Sequence, residues 1–256
     1  MEKTNANSIL QMLKEAQRQN QNPHSFTTTA DLFAECDLNN VDCPVCENRG
    51  YLTRVDDEGN TRAYECECMA KRRSIRRIKH SGLADMMERY TFDAYEVKDA
   101  EQLKILHTAR MFAEDDLGWF YIAGQSGSGK THICTAICSR LIERGSDVYY
   151  MRWRDESRQL KGLLNTDEIE KPLEKLKRVQ VLYVDDFFKG GANEADVRLA
   201  FEIINARYNN SRLRTIFSSE IDFEGLEEID ESLCGRIYER SSGYRLHSPR
   251  INYRLR

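Results

Sequence analysis

Residues 124–131 read Gly-Gln-Ser-Gly-Ser-Gly-Lys-Thr, a complete G-x-x-x-x-G-K-[ST] pattern whose spacing suits one task, wrapping a polyphosphate. Gly124, Gln125, Ser126, Gly127, Ser128 and Gly129 would turn backbone N–H groups inward, and a following helix would add its positive N-terminal end. Lys130 would reach the β- and γ-phosphates, and Thr131 would offer its hydroxyl to Mg²⁺. A second acidic element follows at Val181-Leu182-Tyr183-Val184-Asp185-Asp186, an apolar run delivering two carboxylates. Asp185 is suited to orienting Mg²⁺, and Asp186 to polarising the attacking water where many ATPases carry Glu. The shorter Asp186 predicts slow hydrolysis. A third chemistry lies upstream: Cys43-x₂-Cys46 and Cys66-x-Cys68 are two close thiol pairs. Four thiolates match a closed tetrahedral Zn²⁺ site. Free thiols, a redox pair and an iron–sulfur cluster are the alternatives, and Cys36 is a spare ligand.

These groups need a scaffold. Trp119–Ala123 is an apolar, β-favouring stretch before the loop, and Thr131–Ile142 reads as the helix after it. Further strands are predicted at 147–152, 179–184, 214–219 and about 244–247, alternating with helical patterns. That is the signature of an α/β fold with a five-stranded, mostly parallel sheet. The clearest helix is predicted over 194–210, with Val197, Ala200, Phe201, Ile204 and Tyr208 on its packed face. Around the cysteines, Gly50–Val55 and Arg62–Glu65 read as hairpin strands about an Asp56-Asp57-Glu58-Gly59-Asn60 turn. Cys134, Cys138 and Cys234 read as small buried residues. Organisation follows composition: a polar tail over 1–35 with a short amphipathic pattern (Ile9, Leu10, Met12, Leu13), a zinc-binding hairpin and basic helix over 36–82, and an ATPase domain over 83–256.

The chain has 256 residues, 40% hydrophobic and 31% charged, with a formal net charge of -4. No global field therefore argues for nucleic acid, and no apolar run reaches the roughly eighteen residues of a membrane span. A polar N-terminus without a signal peptide and eight cysteines point to a reducing, cytoplasmic setting. Locally the charge is uneven. Lys71, Arg72, Arg73, Arg76, Arg77 and Lys79 would make one helix strongly cationic, facing single-stranded nucleic acid, an acidic protein or only solvent. Arginines recur from Arg236 to Arg256.

Two further segments resemble AAA+ ATPases. Thr215–Glu220 ends in polar residues where that class carries its sensor 1, and Leu233–Arg240 presents arginines on a short helix. Of these, Arg236 is favoured over Arg240, or over no finger, as one reaching a neighbouring subunit's γ-phosphate. The cysteine hairpin, the basic helix ending Ser81-Gly82-Leu83, Thr91-Phe92-Asp93, the loop through His132, Tyr183–Lys189, the Ser-Ser-Glu strand end and Arg-Ile-Tyr-Glu-Arg together resemble the DnaC/DnaI-type replicative helicase loaders. The resemblance runs from about residue 43 to the C-terminus. It implies an AAA+ P-loop core, ATP and Mg²⁺ as ligands, a DnaB-type hexameric helicase and single-stranded DNA as partners, ATP-dependent self-assembly, and a zinc-bearing helicase-binding region. Carried over by position, Lys130, Thr131, Asp185 and Asp186 serve nucleotide and metal, Ser219 is sensor 1 and Arg236 the finger. An IstB-type transposition-helper ATPase is the main rival, although that family's usual pattern lacks the cysteine hairpin. An ATP-gated adaptor with negligible turnover is the other.

Overall fold

The computed structural model describes residues 43–55, 59–81, 83–164, 166–248 and 252. The tail pattern at 9–13, Cys36, the turn tip at 56–58 and Arg250, Arg254 and Arg256 lie outside the described residues. Five strands form the main sheet: β3 (Phe120–Ala123), β4 (Val148–Arg152), β5 (Val181–Phe187), β6 (Arg214–Ser219) and β7 (Arg245–His247), in the order β4-β5-β6-β3-β7. Every pairing within it is parallel. The inner strands β3, β5 and β6 are buried on both faces, as parallel strands covered by helices must be. Alternate residues divide cleanly between two cores. Phe120, Ile122, Val148, Tyr150, Val181, Tyr183 and Ile216 face one side. Tyr121, Ala123, Met151, Leu182, Val184 and Phe217 face the other.

The first side is covered by α1 (Cys68–Ser81), α2 (Leu83–Arg89), α3 (Ala100–Glu114) and α4 (Lys130–Glu143). The second is covered by α5 (Trp153–Leu163), α6 (Glu170–Arg178), α7 (Glu194–Tyr208), α8 (Phe223–Ile229) and α9 (Glu231–Arg240). Side-chain caps start several of these helices. Asp99, Asp222 and Asp230 each accept a backbone N–H of the first turn, and Asn193 with Asp196 forms a capping box on α7. The buried stripe of α7 runs through Leu199, Ala200, Ile203, Ile204 and Arg207. It is rotated from the predicted face, because Val197 and Tyr208 sit at its margin and the guanidinium of Arg207 enters the core. There Arg207 donates to the carbonyls of Leu176 (2.9 Å), Val179 (2.8 Å) and Arg214 (2.6 Å) and to the Thr215 hydroxyl (3.0 Å). Those bonds tie the end of α6 to the start of β6.

Before this core stands an antiparallel hairpin, β1 (Tyr51–Val55) and β2 (Thr61–Glu65), with Tyr51 opposite Glu65. The basic helix α1 that follows is not a free arm. Ile75 and Ile78 enter the first core, and the fully buried Ser74 hydroxyl accepts the Val148 N–H at 2.7 Å. The helix is thereby docked against edge strand β4.

Candidate nucleotide site

The chain runs from β3 outward to β4, then returns through β5 and β6 to place β7 on the far side of β3. Ligands of open α/β sheets bind at such a reversal, beyond the carboxyl ends of the strands. Here those ends deliver the 124–131 loop, Asp185-Asp186 and Ser218-Ser219-Glu220. Gly124 (φ 149°) and Gly127 (φ 77°) hold backbone angles that other residues rarely adopt. A Cβ at Gly124 would lie 2.9 Å from Ser248, and one at Gly127 would overlap the Asn252 side chain. The loop is thus packed tightly from the C-terminal side. Between the loop, Tyr90 and the Asp186–Lys189 turn lies a cavity of about 270 Å³. A second, of about 360 Å³, continues past His132 towards Tyr95, Lys98 and Gln102. Among the described residues the buried Ser128 hydroxyl has no hydrogen-bond partner, leaving one polar group in the loop for a ligand. His132 fixes the partition: its Nε2 meets the Thr91 carbonyl at 2.8 Å, and its ring stacks on Tyr90 at 4.9 Å. Burial lowers its pKa, outweighing the opposing Thr91 contact.

Lys130 is buried and donates to the carbonyls of Gly124 (2.6 Å) and Gln125 (2.7 Å). Burial lowers its pKa, against the pull of the Glu220 and Asp186 charges. Asp185 and Asp186, adjacent in sequence, occupy different worlds. A bulge in the β5–β6 ladder between Val184 and Phe187 breaks the strand alternation, and Asp186 takes φ 54°. Asp185 is buried and accepts hydroxyls of Ser218 (2.6 Å), Tyr183 (2.7 Å), Tyr150 (2.9 Å) and Thr131 (3.4 Å). The Thr131–Asp185 contact joins the two halves of the predicted phosphate and Mg²⁺ machinery, and a hydroxyl beside a carboxylate is a donor set that fits a hard divalent cation. Asp186 instead faces the cavity, 3.1 Å from Lys189 Nζ, which also lies 3.0 Å from Glu220. Ser126, Gly127, Gly129, Lys130, Thr131, His132 and Asp186 all line this one cavity.

Ser219 and Arg236 each have local partners. The Ser219 hydroxyl is spent on the backbone, donating to the Phe187 carbonyl at 2.8 Å and accepting the Ile221 N–H at 3.0 Å. The neighbouring Ser218 is the residue that touches Asp185. Arg236 lies on α9, bonded to Asn205 (3.0 Å) and Ser232 (2.7 Å) and stacked 4.8 Å over Phe201. None of these partners lines the phosphate cavity. Sequence reasoning also passed over Tyr150, Tyr183 and Lys189.

The four predicted cysteine ligands converge. All their Sγ atoms lie within 4.8 Å of one another, with Cys43–Cys66 at 3.8 Å and Cys46–Cys68 at 3.6 Å. That is far beyond a disulfide and close to the ~3.8 Å edge of a tetrahedron with ~2.3 Å metal–sulfur bonds. Burial opposes charge on Cys46, yet the Gly50 N–H and the neighbouring thiols bring its pKa down to about 7. Arg72 donates to Cys68 Sγ at 3.2 Å and to Asn48 at 3.2 Å, and Arg73 pairs with Glu65 and Asp147. The expected cationic face is therefore partly consumed in bracing the hairpin. The side chains of Arg76, Arg77 and Lys79 lie outside the described residues. Among the described residues no helix is long and apolar enough to cross a membrane.

Comparison with known proteins decides the family. The profile of the IstB-like ATP binding proteins matches residues 59–240, more than half of the chain. The chain belongs to this family. Phage-like element PBSX protein XkdC of Bacillus subtilis is 32% identical over 231 residues, covering 84% of this chain and 85% of that protein. The replicative helicase loader DnaC of Escherichia coli K12 is 25% identical over 171 residues, 64% of this chain and 68% of the relative. The crystal structure of DnaI shares the fold, with a TM-score of 0.54 at 22% identity over 64% of this chain and 90% of that one. An IstB-like ATP-binding domain thus carries the P-loop, and the α/β AAA+-like core expected from the sequence is the one observed. Cys43 and Cys46 precede the matched region.

Proposed function

We propose that this IstB-like chain is an ATP-dependent loader of a DnaB-type hexameric helicase onto single-stranded DNA during replication initiation. The observation that carries the reading is the pairing, on one chain, of a phosphate cavity lined by Lys130, Thr131 and Asp186 with a four-cysteine hairpin braced on α1. Relatives named replicative helicase loaders support it. In this reading residues 36–82 face the helicase, residues 83–256 form the ATPase unit, and α1 is the joint between them. Lys130 leaves its carbonyl partners to hold the terminal phosphates, and Asp186 accepts a proton from the attacking water. Asp185 and Thr131 are the side chains suited to hold Mg²⁺, which when bound neutralises charge on the phosphate oxygens. Ser218, bonded to Asp185, is better placed than Ser219 for the sensor 1 role. Zn²⁺ held by Cys43, Cys46, Cys66 and Cys68 would keep a hairpin this small folded. Arg236, bonded within its own subunit, acts on a neighbour's nucleotide only when chains assemble. The setting is cytoplasmic.

The family match itself favours a second reading, a transposition-helper ATPase, and the Asp186–Lys189 ion pair suits an ATP-gated adaptor with little turnover. Size-exclusion chromatography with light scattering, mixing the chain with a replicative helicase from the same source with and without ATP, separates them. A co-eluting complex supports the loader. Two folded proteins that stay apart under both conditions refute it.

A further inference from the structure

The phosphate cavity holds a second cation that the nucleotide-binding pattern does not require. Lys189 lines the same cavity as Lys130, Thr131 and Asp186. Its Nζ lies 3.1 Å from Asp186 Oδ2 and 3.0 Å from Glu220 Oε1. The turn that returns it is tightly specified: Asp186 and Phe188 take φ 54° and 55°, and the Lys189 N–H donates to the Asp186 carbonyl at 3.0 Å. The Ser218 hydroxyl accepts the Asp186 N–H at 3.1 Å, fixing the start of the turn. Two lysines and one carboxylate thus line one cavity, with Glu220 as the second partner of Lys189, and the backbone of the turn beneath them is fixed.

We propose that Lys189 is a phosphate-sensing latch on Asp186. Paired with Asp186 as in this structure, it occupies the carboxylate that would serve the attacking water. A terminal phosphate beside Lys130 brings more negative charge than one carboxylate and is the stronger partner for a cavity-facing ammonium. Lys189 then exchanges Asp186 for that phosphate while Glu220 retains it, and Asp186 is released. A diphosphate does not reach this position, so the latch distinguishes ATP from ADP and ties release of Asp186 to the presence of the bond to be broken. A lysine that only closed the turn would need no exposure to the cavity. Burial works against its charge, but the hydrogen bonds to Glu220 and Asp186 outweigh it and raise its pKa above the ordinary lysine value.

The inference rests on the nucleotide-binding reading, and its test separates the two. Affinities of the full-length chain for ADP and for a non-hydrolysable ATP analogue are measured by competition against a fluorescent nucleotide, for wild type, Lys189→Ala, Lys189→Gln and Lys189→Arg. With Lys189→Ala, diphosphate affinity is expected to stay within about twofold, while triphosphate affinity falls about tenfold, the loss of one charge-assisted hydrogen bond. Lys189→Arg should recover most of the preference. An unchanged triphosphate-to-diphosphate ratio in Lys189→Ala refutes the latch alone. Wild type that binds neither nucleotide refutes the underlying reading as well. Should Lys189→Ala melt early, the ratio in Lys189→Gln decides in the same way.

Discussion

Asp185 offers a test in which fold and function separate within one residue. Replacing it with Asn keeps the shape: Oδ1 still accepts from Tyr183, Ser218 and Thr131, and the Tyr150 hydroxyl can turn to accept from the new amide. The bonds lose their charge assistance, but the cost of burying a carboxylate is removed too. The expected change in stability is within about 1 kcal/mol. Asp185→Ala is different. The fully buried Tyr183 and Ser218 hydroxyls lose their acceptor. At about 1–3 kcal/mol per orphaned group, that is roughly 2–6 kcal/mol, or about 5–20 °C in melting temperature for a chain of this size. Thermal melts with ATP alone, ATP with Mg²⁺ and neither provide the assay. Wild type should gain a Mg²⁺-dependent rise through ligand linkage. Asp185→Asn should melt like wild type without ligand and lose that rise. If Asp185→Asn melts as low as Asp185→Ala, the hydroxyl cage does not work as argued. If it keeps the full Mg²⁺-dependent rise, Asp185 is not the metal-orienting group.

The zinc centre predicts about one Zn²⁺ per chain by elemental analysis, lost in Cys46→Ser with helicase association reduced and nucleotide affinity retained; undiminished metal content would remove Cys46 from the ligand set. Glu156, which accepts the Tyr149 hydroxyl at 2.9 Å, has its pKa raised from 4.5 to about 7, chiefly by burial. The folded chain then holds a proton that the unfolded chain releases between those values, so this group's contribution to stability falls as pH rises through that window. Glu156→Gln should accordingly stabilise by ~1–3 kcal/mol at pH about 8 and by little near pH 4.5, and equal melting shifts at both pH values would contradict the assignment. Arg236→Ala should leave nucleotide affinity intact, cost about 1 kcal/mol through Asn205 and Ser232, and lower turnover about tenfold or more only in assemblies, with partial rescue on mixing with Asp186→Asn. An equal loss of turnover in dilute single chains would make it a structural residue.

The elements that sequence patterns could locate are those whose signal is local. The glycine loop, the parallel strands and the two cysteine pairs each declare themselves within a few residues, because backbone angle, two-sided burial and metal geometry act over that span. Their cross-connections do not. Tyr150 and Tyr183 read as core aromatics of buried strands, and nothing in either segment says that both hydroxyls end on Asp185. Arg72 reads as one charge in a basic run, although its position four residues after Cys68 on a helix is a usable sign that the two meet. The two serines are hard to tell apart for a more specific reason. A strand's side chains alternate, so choosing between Ser218 and Ser219 requires the register of β6 against β5, and that register slips between Val184 and Phe187. The same slip separates the two aspartates. Without it, strand alternation would turn adjacent residues to opposite faces of the sheet, and the second carboxylate could not share the end of the strand with the first. With it, Asp185 stays among hydroxyls while Asp186, at a left-handed backbone angle, turns into the cavity beside Lys189. The division between a carboxylate suited to holding a metal and one suited to accepting a proton therefore depends on one irregular step in a sheet ladder, a feature that belongs to the pairing of two strands and to neither strand alone.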